Sequence, residues 1–128
     1  MHYTIGQFAA LTQLSSYTLR YYEKEELLQV GRDAVGRRRY TDADIAWLQF
    51  IKRLKETGMS IHNIRSYARL RYQGDATLAE RLTLLEQHKL SVVEEKLKWE
   101  QNLVKLEEKI SLYKKMIDDL QEIQSPSA

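Results

Sequence analysis

The stretch from Tyr3 to Leu28, YTIGQFAALTQLSSYTLRYYEKEELL, decides the fold of this chain. Its apolar residues recur at helical spacing on both sides of a four-residue break, residues 12–15, which predicts two short amphipathic helices joined by a turn. The second helix carries an arginine, tyrosines and hydroxyl side chains outside its apolar face. Because such side chains hydrogen-bond phosphates and base edges, this helix is shaped to enter a DNA groove. DNA binding is therefore the first hypothesis, with Ser16, Tyr17 and Thr18 at the start of the groove-facing helix.

The composition narrows the class of protein. The 128 residues suit one small globular domain with an extension. They contain no cysteine, which excludes disulfides, thiolate metal sites and cysteine nucleophiles and agrees with a reducing cytoplasm. No apolar run approaches the roughly 20 residues that cross a bilayer, and no signal-peptide pattern opens the chain. We therefore expect a cytoplasmic protein that is neither targeted nor embedded in a membrane.

The charge is divided unevenly along the chain. The total of +2 is small, but residues 1–75 hold twelve Lys and Arg against eight Asp and Glu, whereas residues 76–128 hold eight against ten. Three of the cations, Arg37, Arg38 and Arg39, are consecutive. Although a charge run is most often a solvated face, here it lies in the same half of the chain as the helix pair, which favours a polyanionic partner.

Sequence signals mark where the helices begin and end. Thr4, Thr41 and Thr77 each stand three residues before a side-chain acceptor, the spacing of a capping box, and Ser15 and Ser60 suit further N-caps. Gly58 and Gly74 suit helix ends. These signals predict helices over residues 5–11, 16–25, 42–57, 61–73 and 77–122. Between the second and third, residues 29–40 carry glycines and β-forming residues at hairpin spacing, which predicts a wing.

Apolar positions on these helices predict one core. The third helix places Ile45, Leu48, Ile51 and Leu54 on a stripe widened by Trp47 and Phe50. The predicted partners on the fourth helix are Ile61, Ile64 and Ala68, with Tyr67 or Leu70 also placed to join them. The opposite wall is expected from Ile5, Phe8, Ala9, Leu11, Leu14, Leu19 and Leu27.

From Leu78 the apolar spacing becomes a heptad repeat, which is typical of a coiled coil. The seam positions are Leu78, Leu82, Leu85, Lys89, Val92, Lys96, Trp99, Leu103, Leu106, Ile110, Tyr113, Ile117 and Leu120. A helix of this length needs a partner, and a second copy is the simplest one. Lys89 and Lys96 interrupt the seam; a parallel pair would stack like charges there, which favours an antiparallel dimer, although lysine side chains can also reach outward to water. A second stripe, Leu90, Val93 and Leu97, runs beside the seam.

The predicted fold is thus mainly α, a winged helix-turn-helix followed by a long antiparallel coiled-coil dimerisation helix. We expect residues 1–75 to form the DNA-binding domain, 76–122 the dimerisation helix and 123–128 a loose tail. The dimer contacts are expected from Leu82, Leu85, Val92, Trp99, Leu103, Leu106, Ile110, Tyr113 and Ile117.

Several motifs in order resemble the MerR family of bacterial transcription regulators. They are Tyr3-Thr4-Ile5-Gly6, Thr18 to Lys24, Leu27-Leu28, Gly36-Arg37 with Arg39-Tyr40, Asp44-Ile45, Phe50-Ile51, Thr57 to Ser60 and Ile64-Arg65. Each motif is weak alone, but the set is specific in this order and covers residues 3 to about 72. The long helix that follows stands where the family places a dimerising helix.

The resemblance implies a winged helix-turn-helix dimer that binds promoter DNA between elements spaced too far apart. Bending and untwisting that DNA would let RNA polymerase engage both elements, so DNA shape would count as much as base contacts. By matched position, DNA would be met by Arg20, Tyr21 and Tyr22 on the recognition helix, by Arg37, Arg39 and Tyr40 in the wing, and by Ser60 and Arg65 in a second wing. Adjacent phenols cannot share one helix face, so we favour Tyr21 for DNA and leave Tyr22 open between DNA and packing. Strand alternation favours Arg37 and Arg39 over Arg38.

The chain also departs from the family pattern. Gln13 and Glu26 stand where glycine is usual, Gln29-Val30 lacks the usual proline, and Arg53 occupies the position of the sensing cysteine in the electrophile-responsive branch. Any small-molecule effector would have to act without thiol chemistry, and its identity is left open.

Two other classes of function compete with DNA binding. The first is a coiled-coil protein-interaction adaptor whose helix-turn-helix is purely structural. The second is an enzyme, but no phosphate loop, nucleophile elbow or zinc motif is present, and His2, His62 and His88 lack metal-ligand spacing. We therefore expect no enzyme, no metal and no cofactor.

Overall fold

A computed structural model describes residues 1–124 and shows a mainly helical protein with a small sheet. The elements are β1 (His2–Tyr3), α1 (Ile5–Thr12), α2 (Ser16–Lys24), β2 (Gly31–Arg32), β3 (Arg38–Thr41), α3 (Asp42–Glu56), α4 (Ile61–Gln73), a 3-10 turn (Asp75–Thr77) and α5 (Leu78–Gln124). Two compact units share α5: Met1–His88 holds all the other elements, and the second begins at Lys89. The predicted mainly helical fold with a small wing sheet and a long C-terminal helix is confirmed, and the antiparallel pairing of that helix stays a prediction.

The helix-turn-helix forms because each helix start is capped by a side chain. Thr4 Oγ1 accepts a hydrogen bond from the Gln7 amide (3.2 Å) while Gln7 Oε1 accepts one from the Thr4 amide (3.0 Å), so the predicted capping box is confirmed. Ser15 caps α2 in the same way through the Thr18 amide. Between the two helices, Gln13 takes a left-handed conformation with φ of 58°. Phe8 and Leu19, both fully buried, hold α1 and α2 in one core.

The sheet contains one strand more than the predicted hairpin. β3 lies in the middle, pairing antiparallel with β2 through Gly31↔Arg39 and with β1 through Tyr3↔Tyr40. β1 is two residues long, too short for an alternating pattern to reveal it. Its tyrosine hydroxyl donates a 2.6 Å hydrogen bond to Asp42 Oδ1 at the start of α3, which ties the chain start to the end of the sheet.

The core of the first unit is the one that helical spacing predicted, with one exception. Leu48, Ile51, Leu54, Ile64, Tyr67 and Ala68 are buried, and Ile45, Phe50 and Ile61 pack against them. The Trp47 indole is buried as well, donating a hydrogen bond to the Leu27 carbonyl (2.8 Å). Leu11 was expected in this core, but 52% of its surface is exposed. Phe8 and Thr12 are the buried residues of α1, and Leu11 lies on the exposed side of the same helix.

The predicted cap at Thr77 is wrong. Thr77 is buried, and its hydroxyl donates to the carbonyl oxygens of Leu70 (2.6 Å) and Gly74 (2.8 Å) instead of capping α5. The threonine therefore closes α4 and the 3-10 turn, and α5 begins one residue later. At its other end α5 includes Ile123 and Gln124, which the expected tail contained, while residues 125–128 of that tail lie outside the described residues.

Candidate nucleic-acid interface

The outward face of α2 carries the side chains best placed for a DNA groove. Leu19 and Tyr22 point into the core, which leaves Tyr17, Arg20, Tyr21 and Lys24 on the solvent side. Counted from Tyr17 these positions are i, i+3, i+4 and i+7, which is the spacing of one helix face. Tyr17 is 78% exposed and Tyr21 is 38% exposed. Lys24 was not predicted as a site residue, although its i+4 spacing from Arg20 would have indicated it.

Ser16 and Thr18, the two hydroxyl residues at the start of α2, are less accessible than the four side chains on the outward face. Thr18 Oγ1 lies 2.9 Å from Ser15 Oγ, so one hydroxyl donates to the other at the helix cap. Ser16 and Thr18 are both half-buried. Their predicted role as DNA contacts remains a prediction.

Tyr22 faces the protein interior, which corrects its assignment as a DNA contact. Only 3% of its surface is exposed. Its hydroxyl accepts a hydrogen bond from Lys55 Nζ (3.2 Å), and the same ammonium lies 5.0 Å from the ring centroid. Of the two adjacent phenols, Tyr21 is the one that solvent and ligands can reach.

Tyr40 is also a core residue, so its assignment as a DNA contact is wrong. Its surface is fully buried, and its ring stacks on Phe8 at a centroid distance of 4.4 Å and an interplanar angle of 9°. Strand alternation explains the position, because Tyr40 is two residues from the inward Arg38 and one from the outward Arg39. Burial raises the pKa of the Tyr40 phenol, and its hydroxyl has no hydrogen-bond partner among the described residues.

The wing is fastened to α2 by one carboxylate. Glu23 on α2 accepts hydrogen bonds from Arg32 Nη2 on β2 and from Arg38 Nε on β3, each at 2.7 Å. The Glu23 and Arg38 side chains are largely buried at this junction, so water screens the pair less than an ordinary surface ion pair. Arg38 therefore points towards α2 and not towards water, which the sequence did not predict, and its ion pair joins the hairpin to α2.

The tip of the wing is closed by a second carboxylate. Asp33 Oδ1 accepts hydrogen bonds from the amides of Val35 (3.0 Å) and Arg37 (2.9 Å), while Oδ2 accepts one from Arg37 Nε (3.1 Å). These hydrogen bonds, led by the one from the Arg37 amide, lower the pKa of the Asp33 carboxyl. Gly36 completes the turn with φ of 86°.

Two arginines of this surface are left unpaired. Glu23 pairs with both Arg32 and Arg38, and Asp33 pairs with Arg37, whereas no carboxylate within residues 1–124 lies within 4.0 Å of the guanidinium of Arg20 or Arg39. Both of these side chains are exposed. Arg20 from the recognition helix and Arg39 from the wing are thus arginines that can meet phosphate or a base edge without first breaking an ion pair, as can the exposed Lys24 among the lysines.

Ser60 and Arg65, the predicted contacts of the second wing, both form hydrogen bonds within the protein. Ser60 Oγ caps α4 by accepting from the Asn63 amide (3.1 Å). Arg65 donates through Nε to the Glu25 carbonyl (2.9 Å) and forms an ion pair with the Glu25 carboxylate. Next to it, Arg69 pairs with Glu26 at 2.7 Å. A phosphate contact by Ser60 remains open because the residue is exposed, but Arg65 is already neutralised and serves to link α4 to the end of α2.

The predicted dimer contacts form an apolar surface that is left largely uncovered by the rest of residues 1–124. In the first unit, Leu82 is exposed and Leu85 packs partly on the core. In the second unit the seam side chains are exposed or half-buried: Val92, Trp99, Leu103, Leu106, Ile110, Tyr113 and Ile117. Trp99 alone exposes 72% of its surface. Soluble monomers rarely expose an apolar row of this length.

Within residues 1–124, no three His, Asp or Glu side chains converge as ligands for a metal ion. None of the helices in that range is both long and apolar enough to span a bilayer.

Comparisons with known proteins agree with this geometry. The family model described as MerR HTH family regulatory protein matches residues 3–70, and the model described as MerR, DNA binding matches residues 45–98. An uncharacterized HTH-type transcriptional regulator of Haemophilus influenzae is 42% identical over 116 residues, which span 90% of this chain and 86% of that protein.

Solved structures resemble the chain as well. One is the crystal structure of HiNmlR, a MerR family regulator lacking the sensor domain, bound to promoter DNA; its TM-score is 0.79 at 42% identity, over 90% of this chain and 92% of that one. Another is a MerR family transcriptional regulator from Bacillus thuringiensis, with a TM-score of 0.75 at 35% identity, over 88% of this chain and all of that one.

Proposed function

Since this chain belongs to the MerR family of helix-turn-helix transcription regulators, we propose that two copies of it bind promoter DNA and reshape it. Each copy places α2 in a major groove and the wing against the neighbouring backbone. The dimer sits between promoter elements that are spaced too far apart, and bending and untwisting bring them into register for RNA polymerase. Such a protein acts by binding rather than catalysis and works in the bacterial cytoplasm.

The observation that carries this proposal is the pair of unpaired arginines, Arg20 and Arg39, on one continuous surface. The Glu23 clamp joins the wing to the recognition helix, so the separation between Arg20 and Arg39 is fixed before DNA is bound. Tyr17 and Tyr21 lie on the same exposed helix face and can add phenol hydrogen bonds to phosphate. The rival function, a protein-interaction adaptor, gives no reason for free cations at both positions.

The exposed seam supports the dimer. An antiparallel pair would bury the apolar rows of both copies and would place two recognition helices at a fixed spacing, as an inverted-repeat operator requires. Ile110→Asp should give a monomer in sedimentation velocity, because a carboxylate would be buried at the seam. Ser111→Asp, one residue round the helix, is its matched control and should stay dimeric.

The absence of cysteine allows the strand direction to be tested directly. Leu82→Cys lies near one end of α5, so its two copies meet and cross-link only in a parallel pair. Trp99→Cys lies near the middle and should cross-link in an antiparallel one. Cross-linking at Leu82 contradicts the antiparallel arrangement.

The DNA-binding function is tested by in vitro selection of bound duplexes followed by affinity measurements on the selected site. Wild-type affinity should fall steeply with salt, since each phosphate neutralised on B-DNA contributes about 0.9 to the slope of log K against log salt. Arg20→Ala should weaken the selected site by about 1–3 kcal/mol and relax its sequence preference. Lys105→Ala removes the same charge from an exposed position on α5 and should change neither quantity. Binding that is absent, or that ignores salt, would contradict the proposal and favour the adaptor.

A further inference from the structure

The wing tip holds a carboxylate on the surface that is proposed to meet phosphate. Three donors converge on Asp33, the amides of Val35 and Arg37 and the Arg37 guanidinium. The backbone closes the same turn, with the Asp33 amide donating to the Arg37 carbonyl (2.9 Å) and the Gly36 amide to the Asp33 carbonyl (3.0 Å). The side chain and the backbone of Asp33 therefore both hold the shape of the tip.

This carboxylate also sets the charge of the tip. The Arg37 side chain is 79% exposed, yet its guanidinium is paired with Asp33. The lowered pKa of Asp33 means that its negative charge persists at neutral pH and below. Because phosphate attraction is sequence-independent and sums over free cations, the Asp33 charge subtracts from the attraction of the wing for any duplex.

We propose that Asp33 is a positioning and specificity-determining residue, which orders the wing tip and cancels the charge of Arg37. The wing then attracts phosphate chiefly through Arg39, and its non-specific affinity stays low relative to its affinity for the operator. That ratio decides occupancy, because competing non-specific sites vastly outnumber the operator. The inference rests on the proposed DNA-binding function and assigns a new role within it.

Two substitutions at Asp33 separate its effect on the order of the wing tip from its effect on the charge of the tip. Asp33→Asn keeps an oxygen that can accept from both amides but removes the charge, whereas Asp33→Ala removes both. Glu94→Gln removes one negative charge from an exposed α5 position and controls for net charge. The double variant Asp33→Asn with Arg37→Ala returns the tip to zero net charge and controls for the freeing of Arg37.

The measurement is the affinity of each full-length variant for the selected operator and for a scrambled duplex of equal length, from about 50 to 200 mM salt. For Asp33→Asn we expect tighter binding to the scrambled duplex, a lower operator preference, and a slope steeper by about 1–2 per dimer, from one added phosphate contact in each wing. The double variant should return to the wild-type slope. Asp33→Ala should also lose operator affinity, since its tip is disordered, and Glu94→Gln should match the wild type.

The results discriminate between the two proposals. If the wild type prefers its operator but Asp33→Asn changes neither the slope nor the preference, or changes them no more than Glu94→Gln, the role of Asp33 is refuted and DNA binding stands. If the wild type shows no operator preference at all, the proposed function fails and this inference fails with it. A double variant that keeps the steeper slope would show that Arg37 is not the freed cation.

Discussion

Glu23 on the recognition helix and Arg38 on the central strand of the sheet form a 2.7 Å ion pair at the junction of α2 and the wing. The second carboxylate oxygen of Glu23 holds Arg32 on the neighbouring strand at the same distance. β3 is also held by its pairing with β1 and by the buried Tyr40 ring, and Glu23 adds the contact that joins both strands of the hairpin to α2. This carboxylate makes the helix and the hairpin a single binding surface.

Replacing Glu23 by Gln should loosen the wing. The glutamine keeps one acceptor oxygen in place of two and carries no charge, so we expect a loss of about 1 kcal/mol in the free energy of unfolding, measured by urea denaturation. Hydrogen exchange should accelerate at the β2 and β3 amides and stay slow in α3, because the core is untouched. Glu95→Gln, which breaks an exposed pair with Lys98 on α5, should alter neither measurement. Uniform acceleration across the first unit would mean that Glu23 supports the whole domain rather than the wing.

Removing the buried hydroxyl of Tyr40 should not lower the free energy of unfolding, in contrast to the substitution at Glu23. A buried donor without a partner costs free energy, so Tyr40→Phe should be neutral or should stabilise the protein by up to about 1 kcal/mol while the stack on Phe8 is kept. Operator affinity should be unchanged because the residue does not reach the surface. Tyr22→Phe is the comparison, since its hydroxyl has a partner in Lys55 and its removal should not stabilise. A large loss of DNA affinity in Tyr40→Phe would restore Tyr40 as a contact.

Local patterns predicted the five α-helices, the wing hairpin and the main core but not β1, because capping side chains, glycine and helical spacing act over three to seven residues. They could not predict that Arg38 pairs with Glu23, since that contact joins residues 15 apart in sequence through the fold. Tyr40 shows a different kind of error. The alternation that turned Arg38 inward also turned Tyr40 inward, but the family resemblance had assigned it to DNA. The cap predicted at Thr77 is wrong because its hydroxyl donates a hydrogen bond to the Leu70 carbonyl near the end of α4. That contact depends on how the chain folds between α4 and α5, and the local sequence does not show it.

The departures from family glycines at Gln13 and Glu26 have a structural cost. Both residues adopt positive φ, 58° and 63°, which L side chains other than Asn and Asp rarely take. Gln13→Gly should therefore raise the free energy of unfolding by up to about 1 kcal/mol, with part of the relief offset by the greater freedom of glycine in the unfolded chain. Gln13→Val should destabilise. Glu26→Gly gains the same relief but loses the pair with Arg69, so its gain should be smaller. If Gln13→Gly destabilises, the left-handed turn is not strained.

The hydrogen bond from Tyr3 to Asp42 predicts a pH dependence. It is the main cause of the lowered pKa of Asp42, helped by the nearby N-terminal amine. A carboxyl whose folded pKa lies below its unfolded value adds stability above the unfolded value, about pH 4, and that stability is lost as the pH falls through the folded pKa. Tyr3→Phe should raise the pKa of Asp42 in an NMR titration. It should also make the decline in unfolding free energy between pH 7 and pH 3 shallower, because less stability depends on the ionised carboxyl. Asp42→Asn should flatten the same acid limb, and Asp118→Asn, on α5, should leave it unchanged. An Asp42 pKa that stays low in Tyr3→Phe would mean that the N-terminal amine, 3.6 Å away, dominates instead.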